Sequence, residues 1–192
     1  MDIDLITNIL YAMIRTGTPL LLVALGEMVC EKSGVLKLGQ EGMMLMGAVA
    51  GFIATWLTGN LFFGFLMAIV AGIAMSQLFA MIALGLNANQ VATGLALTIF
   101  GGGLSAFIGS SFVGKPIEGL EVITIPFLSD IPVIGKMLFA QDLIVYLSFL
   151  LFGVIFWFFR SSRTGLIVKA VGENPHAANA IGLPVMRTRY LA

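Results

Sequence analysis

The residues of this chain that could do chemistry are few, and most of them are neutral. Asn87, Asn89, Gln90 and Thr93 stand together at the entrance to a long apolar run. Amides and a hydroxyl in such a place can hydrogen-bond a polar solute without moving a charge into hydrocarbon. They can equally cap a helix or join it to a neighbour. Gln40 and Glu41 close a second polar stretch, Ser33-Gly34-Val35-Leu36-Lys37-Leu38-Gly39-Gln40-Glu41-Gly42. Its glycines and alternating polar residues argue against a continuous helix. Two readings fit: a broken or re-entrant segment, which occurs where backbone lines a protein cavity or water, and a plain cytoplasmic loop. Gln40, Glu41, Asn87, Asn89, Gln90 and Thr93 are therefore the candidates for a solute path.

A third stretch could do mechanical work. Glu173-Asn174-Pro175-His176-Ala177-Ala178-Asn179-Ala180-Ile181-Gly182-Leu183-Pro184 has the marks of a short helix with clear ends. Asn174 suits the N-cap and Pro175 the first helical position, and Gly182 with Pro184 stops it. Two turns of small residues make a compact knob, fit to enter a groove on a partner. The plainer reading is a surface turn joining two spans.

Catalytic sets are missing from the sequence. His176 is the single histidine, and no Cys or second His lies near it to share a metal. There is no G-x-x-x-x-G-K-[ST] run of the kind that cradles nucleotide phosphates. The chain reads as a non-enzyme with no metal, catalytic residue or cofactor of its own.

The elements that must hold these residues follow from composition. Of 192 residues, 59% are hydrophobic and only 10% charged, with a mean hydropathy of +1.03. Soluble domains carry about 25% charged residues, so a soluble enzyme, a disordered regulator and a nucleic-acid binder are excluded. Positions 42–114 hold no charge and no histidine. A crossing helix needs roughly 20 apolar residues, so this stretch accommodates three spans. Turn signals at Thr58-Gly59-Asn60 and Gly85-Leu86-Asn87-Ala88-Asn89-Gln90 place them near 42–58, 61–84 and 91–112. A further span is expected over about 138–159 and a first one over about 5–25, which carries Arg15, Thr16, Thr18 and Pro19. The expected class is all-α: a polytopic membrane helix bundle of about five spans, with one broken segment and a short cytoplasmic helix. Residues 1–192 would form one transmembrane domain containing the cytoplasmic loop 160–190. The acidic start, with Asp2 and Asp4, does not resemble a signal peptide.

Orientation follows from the basic residues. The net charge of zero divides unevenly: residues 1–159 hold nine acids and five bases, residues 160–192 five bases and one acid. Arg160, Arg163, Lys169, Arg187 and Arg189 place the loop 160–190 in the cytoplasm. Counting back five spans puts the N-terminus outside, together with the proline-containing loop 113–137 (Pro116, Pro126, Pro132). Segment 26–41 falls inside as a loop or re-entrant piece, and with it Cys30, the lone cysteine, which excludes an internal disulfide. Arg15 is expected to snorkel or to pair with an acid. Small residues recur every fourth position, Gly64-Ala68-Gly72-Ser76-Ala80 and Gly94-Thr98-Gly102-Ala106-Ser110, with Gly47 and Gly51 as a shorter pair. Such stripes let helix backbones approach in lipid, and a pore-lining role is the other reading.

These residues carry a resemblance. Ala177-Ala178-x-x-x-Gly182 resembles the coupling-loop core in permease subunits of ABC importers. The fuller run from Gly165 through Lys169-Ala170-Val171-Gly172-Glu173-Asn174-Pro175-His176-Ala177-Ala178 is similar to the subgroup importing simple sugars and nucleosides, related to the ribose and branched-chain amino-acid permeases. Ser33–Met44 and Asn89-Gln90-Val91-x-Thr93-Gly94-Leu95-Ala96-Leu97 are similar to two further signatures of that subgroup. The resemblance runs in order along the whole chain. It departs at Lys37, where the family usually has Asn, and at His176, where it often has Glu.

The resemblance implies a permease subunit of an ATP-driven importer, working by alternating access in the cell inner membrane. It implies separate ABC ATPase subunits below, a second permease subunit beside it and an extracytoplasmic solute-binding protein above. Membrane lipid surrounds it, and nucleic acid has no place. Glu173, Asn174, Pro175, His176, Ala177, Ala178 and Gly182 become the residues that couple to the ATPase. Nucleosides are the first expectation for the solute, then simple sugars. The family is near 300 residues long, so this chain is expected to be its N-terminal part. Two other classes fit parts of the sequence: a non-transporting membrane scaffold, and an ion-coupled secondary transporter. The long charge-free stretch argues against the second.

Overall fold

The computed structural model describes residues 3–124 and 134–192. Asp2, Pro126, Asp130 and Pro132, which enter the expected outside assignment, lie outside the described residues. Among the described residues the fold is all-α apart from two three-residue strands. Helices α1 (Ile3–Lys32), α2 (Gln40–Thr58), α3 (Leu61–Ala80) and α4 (Gln90–Gly109) are followed by β1 (Val122–Thr124), α5 (Ile134–Phe139), β2 (Ala140–Asp142) and α6 (Leu143–Ser161). Three shorter helices complete the order: α7 (Arg163–Glu173), α8 (Pro175–Ala180) and α9 (Val185–Leu191). Among the described residues five helices are long and apolar enough to cross a membrane: Leu5–Lys32, Gln40–Thr58, Leu61–Gly85, Gln90–Phe112 and Leu143–Ser161.

Two expected boundaries move. The first helix does not end near residue 25 but runs to Lys32. Glu27, Met28, Glu31 and Lys32 are good helix formers, and their mixed charges, which suggested a loop, sit on a helical turn. The helix stops only where Gly34 turns left-handed, with φ +80°. Ser33 N–H donates to the Cys30 carbonyl at 3.0 Å and Gly34 N–H to that of Glu31 at 2.9 Å. The later span begins at Leu143, not 138, because residues 140–142 are taken by β2. That strand pairs antiparallel with β1, Val122 facing Asp142 and Thr124 facing Ala140. Asp142 then caps α6, its carboxylate accepting from Val145 N–H at 3.2 Å.

The chain forms two compact units. One comprises residues up to Met28 and Gly119–Leu166. Within it Arg15 pairs with Asp142 at 3.1 Å, so the mid-helix arginine meets an acid as expected. Ser148, fully buried, returns its hydroxyl to the Val145 carbonyl at 2.7 Å, as membrane-embedded hydroxyls must when no water is at hand.

The other unit comprises Val29–Glu118 and Ile167–Ala192. Its core gathers Val35, Met75, Phe79, Ala83, Leu84 and Leu97, with Met43, Met46 and Tyr190 packed against it. Helix α2 crosses α4 with almost no side chain between them: a Cβ added at Gly42 would stand 2.5 Å from the Leu97 carbonyl, and one at Gly101 2.6 Å from the Gly42 Cα. Gly51 meets Gly64 of α3 in the same manner, at 3.1 Å from its carbonyl. The packed face of α4 is Gly94, Leu97, Gly101 and Ser105, not the strict fourfold stripe. Each step of four residues over-rotates by about 40° on a helix of 3.6 residues per turn, so a stripe of fourth positions winds off the contact. Gly102 meets only a Leu45 methyl at 3.9 Å, and Gly72 meets nothing within 4 Å.

Candidate functional site

The interruption between α1 and α2 is the centre of the second unit. Seven residues, Ser33–Gly39, separate the two helices, so the chain is broken where the glycines suggested. The segment is pinned on both sides. Leu36 N–H donates to the Gln90 side-chain carbonyl at 2.8 Å, and the Thr98 hydroxyl donates to the Leu38 carbonyl at 3.2 Å. From α3, the Ser76 hydroxyl accepts from the Lys37 ammonium at 2.5 Å. Close approach adds to this: a Cβ at Gly94 would lie 3.0 Å from Leu38 N and 3.1 Å from Gly39 N. Irregular backbone is thus satisfied by neighbouring helices, the condition under which it occurs at membrane depth.

The candidate solute-path residues divide by what they already hold. Gln90 is committed to Leu36. Asn89 caps α4, accepting from Ala92 N–H at 3.1 Å; the Thr93 hydroxyl returns to the Asn89 carbonyl at 2.9 Å. Asn87 is exposed in the turn that follows the π-helical stretch Met81–Gly85, with φ +52°. Gln40 is half-buried at the start of α2, and Glu41 is exposed in its first turn. An open apolar hollow of about 440 Å³ lies beside Thr93, between Leu78 and Ile82 of the α3 side and Ala96, Leu97 and Phe100 of α4. Ser76 and Thr98 were not singled out as site residues. Their signal was present all the same, since they are, with Ser110, the polar members of the two small-residue stripes. Among the described residues no three His, Cys, Asp or Glu side chains converge as metal ligands would.

The knob forms as its sequence suggests. Asn174 accepts from Ala177 N–H at 3.0 Å, with Pro175 at the first helical position of α8. Gly182 takes φ +83°, and Leu183 N–H closes on the Ala178 carbonyl at 3.0 Å. Ala178 is buried, while Glu173, His176, Ala177 and Gly182 are exposed. A cleft of about 470 Å³ opens between α8 and α9, walled by Pro175, His176, Asn179, Pro184, Val185 and Arg187 among others.

Helices α7 and α9 also reach this part of the unit. Arg189 Nε donates to the Ser33 carbonyl at 3.3 Å. Gly172 lies so close to Lys32 that a Cβ there would collide with the Lys32 carbonyl oxygen and stand 3.0 Å from Gly34 N. The Tyr190 hydroxyl lies 2.9 Å from the position of a Cβ on Gly85.

Residues 9–192 match a family described as the permease component of branched-chain amino acid transport systems. Over 189 residues the chain is 41% identical to a putative glucose ABC transporter permease protein of Haloferax volcanii, covering 96% of this chain and 57% of that protein. It is 34% identical over 211 residues to a guanosine ABC transporter permease protein of Bacillus subtilis, covering all of this chain and 64% of the relative. A nucleoside ABC transporter permease protein of Lactococcus lactis is 28% identical over 189 residues, covering 93% and 60%. The chain therefore spans about three fifths of the length of the curated relatives it matches. No solved structure gives a significant match.

Proposed function

The chain belongs to the family of branched-chain amino acid transport permease components, and from that premise we propose that it is the membrane-spanning permease of an ATP-driven importer for nucleosides or simple sugars. Relatives named for guanosine, for nucleosides and for glucose support that range of solutes. ATP is used by separate ABC ATPase subunits, a second permease subunit completes the path, and a binding protein delivers solute from outside. The five bases of residues 160–192 keep the knob in the cytoplasm by the positive-inside rule, which sets the N-terminus outside.

One observation carries this reading above the others. The two-turn helix Pro175–Ala180 is capped by Asn174 and stopped at Gly182, in a chain similar along nearly its full length to transport permeases. A scaffold subunit has no use for a rigid, small-faced protrusion beside a 470 Å³ cleft. Glu173, Asn174, Pro175, His176, Ala177, Ala178 and Gly182 are proposed as the coupling element, with Glu173, His176, Ala177 and Gly182 on the surface that the ATPase grips and the buried Ala178 packed beneath it. ATP-driven closure of the ATPase dimer would move the knob, and the spans would alternate between outward and inward access.

The test uses the full permease assembled with its ATPase and binding protein. Ala177→Trp adds bulk on the exposed face of α8, at a helical position that any L side chain can adopt. It is expected to leave assembly in the membrane intact, to leave ATP hydrolysis running and to abolish solute uptake driven by it. Uptake at the wild-type rate would remove the knob from the coupling path.

A further inference from the structure

We propose that Gly172 and Arg189 are positioning residues that seat the cytoplasmic loop on the C-terminal cap of α1, and that this joint passes the loop's movement to the interrupted segment. The inference rests on the importer reading above and names the contact through which it would work.

A helix ends with carbonyls that lack intrahelical partners and with a partial negative charge. In α1 that end is grasped from two sides by one loop. From α9, the Arg189 guanidinium donates to the Ser33 carbonyl at 3.3 Å, a cation placed where the helix dipole favours it. From α7, the backbone of Gly172 lies directly against the Lys32 carbonyl, with no side chain of its own between. Gly34 completes the seat. Its φ of +80° is open to glycine at no cost, and a Cβ there would be 3.2 Å from both the Gly172 Cα and an Arg189 terminal nitrogen. Ser33 is fully buried under these contacts.

Backbone resting on backbone has no rotamer to give, so displacement of the loop is transmitted rather than absorbed. What lies beyond the cap is short. Val35 is anchored in the core, Leu36 N–H is held by Gln90, and the Leu38 carbonyl is held by Thr98. Between the cap and the first turns of α4 there is no slack chain. The knob residues 173–183 would receive the push, and Gly172 and Arg189, which flank them in sequence, would deliver it.

The experiment compares wild type, Gly172→Ala, Arg189→Gln and Arg189→Lys in proteoliposomes holding the full permease, its ATPase and its binding protein. Solute uptake, ATP hydrolysis and thermal unfolding are read on each preparation. Solute carried per ATP is expected to fall about fivefold in Gly172→Ala and Arg189→Gln. Hydrolysis should stay within about twofold of wild type, since the ATPase is untouched, and Arg189→Lys should recover part of the ratio because it keeps the cation but not the planar fork. Should Gly172→Ala fail to assemble, the glutamine and lysine variants decide. An unchanged ratio in both Arg189 variants, with wild type active, overturns the joint and leaves the importer reading standing. Absence of ATP-driven uptake in wild type overturns both.

Discussion

One carboxylate of Asp142 holds two elements at once: an oxygen accepts from Val145 N–H at 3.2 Å, and the other meets the Arg15 guanidinium at 3.1 Å. The two roles separate by substitution. Asn caps a helix about as well as Asp, so Asp142→Asn keeps the cap and loses the charge pair, a cost of about 1 kcal/mol for a half-exposed partner. Asp142→Ala loses the cap as well, adding about 1 kcal/mol. Heat denaturation in detergent should therefore rank wild type, Asn and Ala in falling order. Equal loss in both variants would show that the cap contributes nothing.

The α2–α4 crossing predicts a sharp contrast between two glycines of similar sequence setting. Gly42→Ala would thrust a methyl to 2.5 Å from the Leu97 carbonyl, and overpacking of this kind costs about 1–3 kcal/mol. Gly103→Ala meets nothing within 4 Å and gains about 1 kcal/mol of helix propensity. Folded yield and melting temperature should drop for the first and hold or rise for the second. A Gly42→Ala variant as stable as wild type would mean that the two helices do not touch at this point.

Asn89 decides between capping and solute contact. Its side chain is the N-cap of α4, and Ser is as good a cap. Asn89→Ser should keep both stability and uptake, whereas Asn89→Leu should lose about 1 kcal/mol of stability and impair uptake with it. Loss of uptake in Asn89→Ser at an unchanged melting temperature would return the amide to the solute path.

Helix ends written in local chemistry were legible in advance. Asn174, Pro175 and Gly182 bound α8 where their types suggest, the turn signal at Thr58-Gly59-Asn60 falls between α2 and α3, Asn89 caps α4, and the polar run from Ser33 does break the chain. What could not be read depends on residues distant in sequence. Glu27, Glu31 and Lys32 favour a helix by type, yet their mixed charges read equally as a loop; the contacts that hold the end of α1 at Gly34 come from Gly172 and Arg189, some 140 positions later. The pairing of Val122–Thr124 with Ala140–Asp142 likewise needs a partner strand before either piece is a strand. Gly101 sat one residue off the expected stripe, because a three-and-four spacing follows a packed helix face and a strict four does not. For the solute-path candidates, type left two readings open, solute contact or a cap and a neighbour; Gln90 and Asn89 take backbone partners.

Helix α1 has 30 residues and α6 has 19, about 45 Å and 28 Å of rise. Hydrocarbon is about 30 Å thick, so α6 fits it with Asp142 at one end and Arg160 at the other. Through Arg15, α1 is tied to that same Asp142, and from Arg15 to Lys32 it too offers about 27 Å. Ahead of Arg15 the same helix continues through Ile3–Ile14, with Leu5, Ile9 and Met13 exposed. The two helices would then answer a change of bilayer thickness differently. A thicker membrane draws more of α1 into its core at little cost, while α6, charged at both ends, has no apolar residues in reserve and must thin the lipid around it.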